Sequence, residues 1–391
     1  MKFFNEAKTL TKVNIREYGM YIALFVIMLT FSIMTDGLFM SSRNISNMLD
    51  ATGYIAVLAV GMTLVIVIRH IDLSVGFSAG FLGAIAAIFM SQLGVPFYIT
   101  IPIILVFGIV VGMFNGFLVA QIGIPSFVAS LAGMLIFRGA LLMVTEKTGT
   151  IIVKDNHFNA IGNGFIPSLG KVAGLNVLSL ILGAAAILLY IFIEISNRRK
   201  KQQYNFEVTS NGIFGVKLVF VSAIIAYVTW IIAGYNGFSW TVVIMMLVVV
   251  VYQILSTKTV LGRHIYAVGS NPEAAHLSGI SVKKITYIVF GSMGMLSALS
   301  GILYTARLQS ATTTAGTLFE LDAIAAAYVG GVSAAGGVGK VTGSIIGAIV
   351  MASLSSGMNL LGVGISYQYM IRGAVLAAAV IFDVMTRKKR S

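Results

Sequence analysis

Twelve apolar runs of membrane-spanning length, joined by short polar connections, constrain this chain more than any motif within it. They lie at about 18–35, 51–68, 71–92, 97–120, 126–144, 176–195, 217–234, 238–257, 285–305, 319–336, 341–360 and 367–386. Hydrocarbon offers no water to backbone N–H and C=O groups, so a run of about 20 apolar residues crosses it as a helix. Composition agrees: 58% of the 391 residues are hydrophobic and 10% are charged, against about a quarter charged in soluble domains. The expected fold is all-α, a polytopic membrane helix bundle of about ten to twelve spans, with 1–391 forming a single membrane-embedded domain. The connections after 68 and after 336 are short enough to be breaks within helices instead.

The formal net charge of +13 is spread in short clusters between apolar runs and not along one soluble face, which is a topology signal and not a nucleic-acid footprint. Lys2, Lys8, Lys12 and Arg16 precede the first run, and no small-residue cleavage site follows it, so it reads as a retained helix. With the N-terminus inside, an even number of spans places three basic segments in the cytoplasm. These are the 196–216 loop with Arg198, Arg199, Lys200 and Lys201, the 258–284 connection, and the tail Arg387-Lys388-Lys389-Arg390. Both termini are then cytoplasmic. The loops at about 36–50, 145–175 and 306–318 face outward, although Arg43, Lys147, Lys154, Lys171 and Arg307 weaken the asymmetry.

Several chemistries find no support. The chain has no Cys, which excludes disulfides and thiolate metal ligands, and His70, His157, His264 and His276 lack the i, i+4 spacing of a helical metal site. Gly336-Gly337-Val338-Gly339-Lys340 superficially resembles a phosphate loop, but Ala334 stands where the first glycine is needed and Val341 where Ser or Thr is needed. It reads as a turn between spans. The chain is therefore not expected to be an enzyme or to bind ATP, and any ATP-driven work falls to a partner.

Polar residues inside spans are costly and mark either structure or a transport path. Asp72, Asn115, Arg138, Asp322, Asn359, Gln368 and Arg372 are of this kind. Arg138 is expected to face the bundle interior, either pairing with a carboxylate such as Glu320 or Asp322 or lining a wet cavity; both readings also stand open for Arg372. Gly108, Gly112 and Gly116, Gly76 and Gly80, and Gly343 and Gly347 recur every four residues, as in helix faces that pack closely in lipid. Tyr235, Phe238, Trp240, Tyr367 and Tyr369 read as an interfacial belt.

The stretch from Lys258 to Lys284 is the longest polar interruption of the second half. Within it Asn271 can cap a helix, Pro272 suits the first helical position, Glu273 favours the positive helix end, and Gly279 can close the C-terminus. So short a helix is not stable alone in water. It is either an ordinary loop helix resting on the membrane domain or a docking element for another protein.

Three separated motifs carry a resemblance that covers nearly the whole chain. Ile71-Asp72-Leu73-Ser74-Val75-Gly76, the loop from Gly269 through Asn271, Pro272 and Glu273 to Gly279, and Tyr328 to Gly339 resemble the permease subunits of bacterial ATP-binding-cassette sugar importers of the ribose and xylose type. The additional hydrophobic material between about 176 and 257 is similar to the xylose and multiple-sugar branch, whereas ribose-type relatives are shorter. His70 departs from the pattern, since many relatives carry Gly there. The resemblance implies that Asn271, Pro272, Glu273, Ala274, Ala275, His276, Leu277, Ser278 and Gly279 form a cytoplasmic coupling helix seated in a groove of the ATPase subunit. It also implies a second permease copy, ATP and Mg bound by the ATPase and not by this chain, an extracytoplasmic sugar-binding protein, and placement in the bacterial cytoplasmic membrane. The implied cargo is D-xylose or a related monosaccharide, with a polyol, nucleoside or signalling sugar as the alternative. A secondary transporter driven by an ion gradient is the rival class, and Asp72 and Asp322 would be its carboxylates.

Overall fold

The computed structural model describes residues 15–388 apart from 147, 148, 207 and 209. Lys2, Lys8, Lys12, Lys147, Lys389 and Arg390 of the charge argument lie outside the described residues. The long helices are α1 (Ile15–Met34), α2 (Ser42–Val67), α3 (Val75–Ser91), α4 (Phe97–Phe117), α5 (Ser126–Thr145), α7 (Val177–Gln203), α8 (Asn211–Ala233), α9 (Trp240–Lys258), α12 (Val282–Leu308), α14 (Val341–Leu360) and α15 (Ile365–Lys388). Shorter helices are α6 (Asn156–Asn163), α10 (Val260–Ser270), α11 (Pro272–Leu277) and α13 (Phe319–Val329). Among the described residues, nine helices are long and apolar enough to cross a membrane, and the apolar parts of α1 and α3 are shorter. The fold is thus the polytopic helical bundle expected from hydropathy.

Two helices form the axis. Nearly every residue of α2 from Ile55 to Val67 is buried, and its Leu58, Met62 and Val65 meet Val289, Phe290, Met293 and Leu296 of α12 in one core. Around this pair, α3 and α4 pack on α12, while α13 and α14 pack on α2. The glycine faces bring backbones together: a Cβ at Gly108 or Gly112 would strike Gly294 or Phe290 of α12, and one at Gly347 would strike Ala326 of α13. Gly76 and Gly80 do the same against Gly316 and Ala315, which belong to a connection and not to a helix.

The run at 319–336, expected as a span, is only half helical. At 1.5 Å per residue α13 covers about 16 Å, roughly half the hydrocarbon thickness. Residues 330–340 continue it as irregular backbone, tolerated at such depth only where its polar groups are bonded. They are: Val332 N–H donates to Ala327 O at 3.0 Å, Ser333 N–H to Val338 O at 2.9 Å and Gly337 N–H to Val67 O at 2.8 Å. A second break separates α2 from α3, where Asp72 accepts from Ser74 N–H at 2.9 Å.

Opposite this end of the bundle, β1 (Thr150–Ile152) pairs antiparallel with β4 (Ser310–Thr312), with Ile151 facing Ala311. A smaller hairpin of β2 (Lys171–Val172) and β3 (Leu175–Asn176) lies in the same 145–175 connection. The 196–216 segment, expected as a basic loop, is mostly helix: α7 runs on to Gln203 and α8 begins at Asn211.

Candidate functional site

The 258–284 connection holds two helices where the sequence pointed to one. Thr259 caps α10 by accepting from Gly262 N–H at 3.1 Å, and α10 buries Ile265 and Val268 against the main core. Asn271 then caps α11, accepting from Ala274 N–H at 3.1 Å, with Pro272 at the first turn. Gly279 ends it at φ 82°, where Ile280 N–H bonds Ala275 O at 3.0 Å and Gly279 N–H bonds His276 O at 2.9 Å. These two bonds form a Schellman closure. Of α11 only Ala275 is buried; Glu273, Ala274, His276 and Ser278 are exposed. Leu277 is 87% exposed at the tip.

The junction between α10 and α11 is wedged into the bundle. Gly269 lies directly on the carbonyl of Val67, so that no side chain fits there. Arg69, the second residue past the end of α2, turns back with its Nε donating to Gly269 O at 2.6 Å and an Nη donating to Ser270 O. Tyr266 Oη donates to Gly339 O at 2.6 Å, and burial raises this phenol above its ordinary range. On the far side of the 330–340 stretch, Asp383 of α15 accepts from Ser333 Oγ at 3.1 Å and Ala334 N–H at 3.2 Å. The short helix is thereby tied to the ends of α2, α13, α14 and α15.

Those four helices line a cavity of about 550 Å³ in the opposite half of the bundle. Its polar wall includes Asn44 and Thr52 of α2, Asp322 of α13, Ser355 and Asn359 of α14, Arg372 of α15, and Arg307. Arg372 bridges the wall, with Nη1 at 3.4 Å from Asp322 Oδ2 and Nη2 donating to Ser355 Oγ at 2.7 Å. Gln368 stands just behind and donates to Asn359 Oδ1 at 2.8 Å. Tyr54 and Phe319, both in the lining, meet Tyr304 in a three-ring cluster with centroids 4.9–5.1 Å apart.

The remaining polar residues from the sequence lie elsewhere. Asp72, Ser74 and Asn115 form a buried cluster at the α2–α3 break, Ser74 Oγ donating to Asp72 at 2.6 Å and Asn115 Nδ2 to Ser74 at 2.7 Å. Arg138 is exposed on the surface of this chain and lies 5.5 Å over the Phe77 ring; the ion-pair partner of Asp322 is Arg372. The expected pairing of Arg138 with Glu320 or Asp322 is not formed, because α5 lies against α3 and not against α13.

A family model described as "Branched-chain amino acid transport system / permease component" matches residues 44–198 and 171–380. The chain belongs to this permease family. It is 40% identical to the xylose transport system permease protein XylH of Haemophilus influenzae, over 97% of this chain and 99% of that protein. XylH of Escherichia coli K12 is 37% identical over 97% and 94%, and the ribose import permease protein RbsC of the same organism is 33% identical over 95% of each chain. No solved structure matches. As a permease the chain moves a solute and performs no covalent chemistry on it, which suits a largely apolar cavity that carries amides, hydroxyls, the Arg372–Asp322 pair and Arg307.

Reasoning from sequence passed over four features of the permease: Arg69, Tyr266, Asp383 and the whole of α10. Arg69 and Asp383 sit at the ends of apolar runs, where charges normally meet water. The signal for α10 was present in its apolar spacing, with Leu261, Ile265 and Val268 on one face.

Proposed function

We propose that the chain is the membrane-spanning permease subunit of an ATP-driven importer that carries D-xylose, or a closely related monosaccharide, across a bacterial cytoplasmic membrane. The sugar permeases among its relatives support the sugar class. In this reading α11 is the coupling helix, seated in a cytoplasmic ATPase subunit that binds ATP and Mg. A second permease copy completes the path, and an extracytoplasmic sugar-binding protein delivers cargo to the cavity side.

The observation that carries the proposal is the join between a bare docking tip and the cavity walls. Leu277 presents an apolar side chain, 87% exposed, at the end of a helix too short to stand alone. Displacement of that helix acts through Gly269, Arg69 and Gly337 on α2 and on the stretch between α13 and α14, and through Asp383 on α15. The same helices widen or narrow the cavity at their other ends. ATP binding would thus be converted into alternating access without any residue of this chain touching the nucleotide.

The test is uptake by the permease reconstituted with its ATPase and binding protein. Leu277→Asp replaces an anchor by a charge that an interface cannot hydrate, and losing such an anchor costs about 2 kcal/mol or more, some thirtyfold in affinity. Uptake is expected to collapse while membrane abundance stays unchanged, because Leu277 is 87% exposed and contributes little to the packing of the bundle. Normal ATP-dependent uptake by Leu277→Asp removes the coupling assignment, and uptake driven by an ion gradient without the ATPase removes the importer reading itself.

A further inference from the structure

The α7–α8 hairpin is fastened to the bundle at one end only. Its buried residues are Ser179 and Gly183 of α7 and Thr229, Ile231, Ile232 and Ala233 of α8, all near the end that carries the β2–β3 hairpin. Toward the basic end the hairpin is exposed, and a cleft of about 500 Å³ opens between its tip and the end of α9. Lys200 and Lys201 of α7, Lys217 of α8 and Lys258 of α9 line it, together with Tyr204. Among the described residues Glu194 is the only carboxylate in the lining, and Lys217 holds it at 2.8 Å.

Four ammonium groups against one carboxylate leave a strong local positive charge at the boundary of the apolar spans. Below Lys200, Lys217 and Lys258 the same helical face is apolar and exposed. Ile193 and Leu189 precede Lys200, Phe220 and Ile224 follow Lys217, and Ile254, Val251 and Leu247 precede Lys258. A positive cap over exposed apolar stripes has the chemistry of one ligand type, an anionic head with hydrocarbon tails. A soluble anion would leave the stripes unused, and an acidic protein surface would meet them only by entering the bilayer.

The geometry points to a specific binding site for an anionic phospholipid in this cleft, with the headgroup phosphate on Lys200, Lys201, Lys217 and Lys258 and the acyl chains between α8 and α9. The bound lipid would fill the gap that the hairpin's one-ended attachment leaves. This inference needs only membrane embedding with the basic end at an anionic leaflet, and is independent of cargo and energy source.

Native mass spectrometry of the purified full-length chain tests it, with phosphatidylglycerol and phosphatidylcholine of identical acyl chains as probes. Each basic residue near an anionic lipid surface adds to the attraction, so a preference for phosphatidylglycerol of at least about tenfold is expected. Replacing all four lysines by glutamine is expected to bring the preference below about twofold, whereas four arginines retain it. Equal binding of the two lipids by the wild type, or an unchanged preference in the glutamine variant, overturns the site. A photoactivatable phosphatidylglycerol supplies a readout independent of the variants' folding: its crosslinks are expected within residues 189–224 and 247–258, and crosslinks confined to other segments overturn it. Displacement of the lipid by millimolar inorganic phosphate would assign the cleft to a free anion, and displacement by the partner ATPase would assign it to a protein interface; retention of the lipid in both is the expected result.

Discussion

Arg69 holds a left-handed backbone, φ 66°, which costs a non-glycine residue about 1–2 kcal/mol. The conformation turns its guanidinium back onto Gly269 O and Ser270 O, and hydrogen bonds from a charged donor are worth about 1.5–3 kcal/mol each, more than the strain. Removing the side chain and removing the strain can therefore be separated. Arg69→Ala and Arg69→Gly are expected to lose uptake alike, by about tenfold or more, although the glycine variant is relieved of strain. Arg69→Lys should fall between them and the wild type, since an ammonium lacks the fork that spans two carbonyls. Uptake normalised to membrane abundance reads all three, and a recovered Arg69→Gly would show that the turn and not the guanidinium is what matters. Gly269 poses the complementary case, for a Cβ there meets the Val67 carbonyl. Gly269→Ala should lower the thermal midpoint of the purified protein by the equivalent of about 1–3 kcal/mol, the usual cost of overpacking.

The capped helix α11 was readable residue by residue, because Asn271, Pro272 and Gly279 act on their immediate neighbours and need no tertiary context. That locality gives a direct test: Asn271→Ala removes one cap bond, costs about 1 kcal/mol, and should raise hydrogen exchange across 272–277 without changing exchange in α12. The half-helix α13 was not readable in the same way. Hydropathy scores apolar residues and is blind to whether Gly330, Gly331, Gly336, Gly337 and Gly339 continue a helix or leave it; bonds from remote partners, Val67 O and Asp383, decide that. Residue pairing escaped for the same reason. Arg138 and Arg372 are alike as sequence, and only the packing of α15 on α13 gives Asp322 to Arg372. Both side chains of that pair remain a quarter exposed, so breaking it by Arg372→Met should cost about 1–3 kcal/mol, less than for a fully dry pair. In a double-mutant cycle the double variant Asp322→Asn with Arg372→Met should lose less than the sum of the two single losses, and purely additive losses would indicate that the two groups do not interact.

All the connections of the bundle divide between two ends, and one end gathers α10, α11, the 330–340 stretch and the basic turn after α7. If the positive clusters fix orientation, that end lies in the cytoplasm and the end with β1, β4 and the cavity mouth lies outside. Exceptions such as Lys154 and Arg307 make the rule worth testing directly, and the absence of cysteine makes the test clean. Leu277 and Leu169 are 87% and 71% exposed, at opposite ends, so a single cysteine at either disturbs little packing. In intact cells, or in spheroplasts where an outer membrane intervenes, Leu169→Cys should react with a membrane-impermeant maleimide, and Leu277→Cys should react only after the cytoplasmic membrane is opened. Adding the ATPase to opened membranes should then protect Leu277→Cys and leave Leu169→Cys unchanged. Labelling of Leu277→Cys in sealed cells would put the docking tip outside, where no ATP-hydrolysing partner could reach it, and the link between the knuckle and the cavity walls would need a different driver.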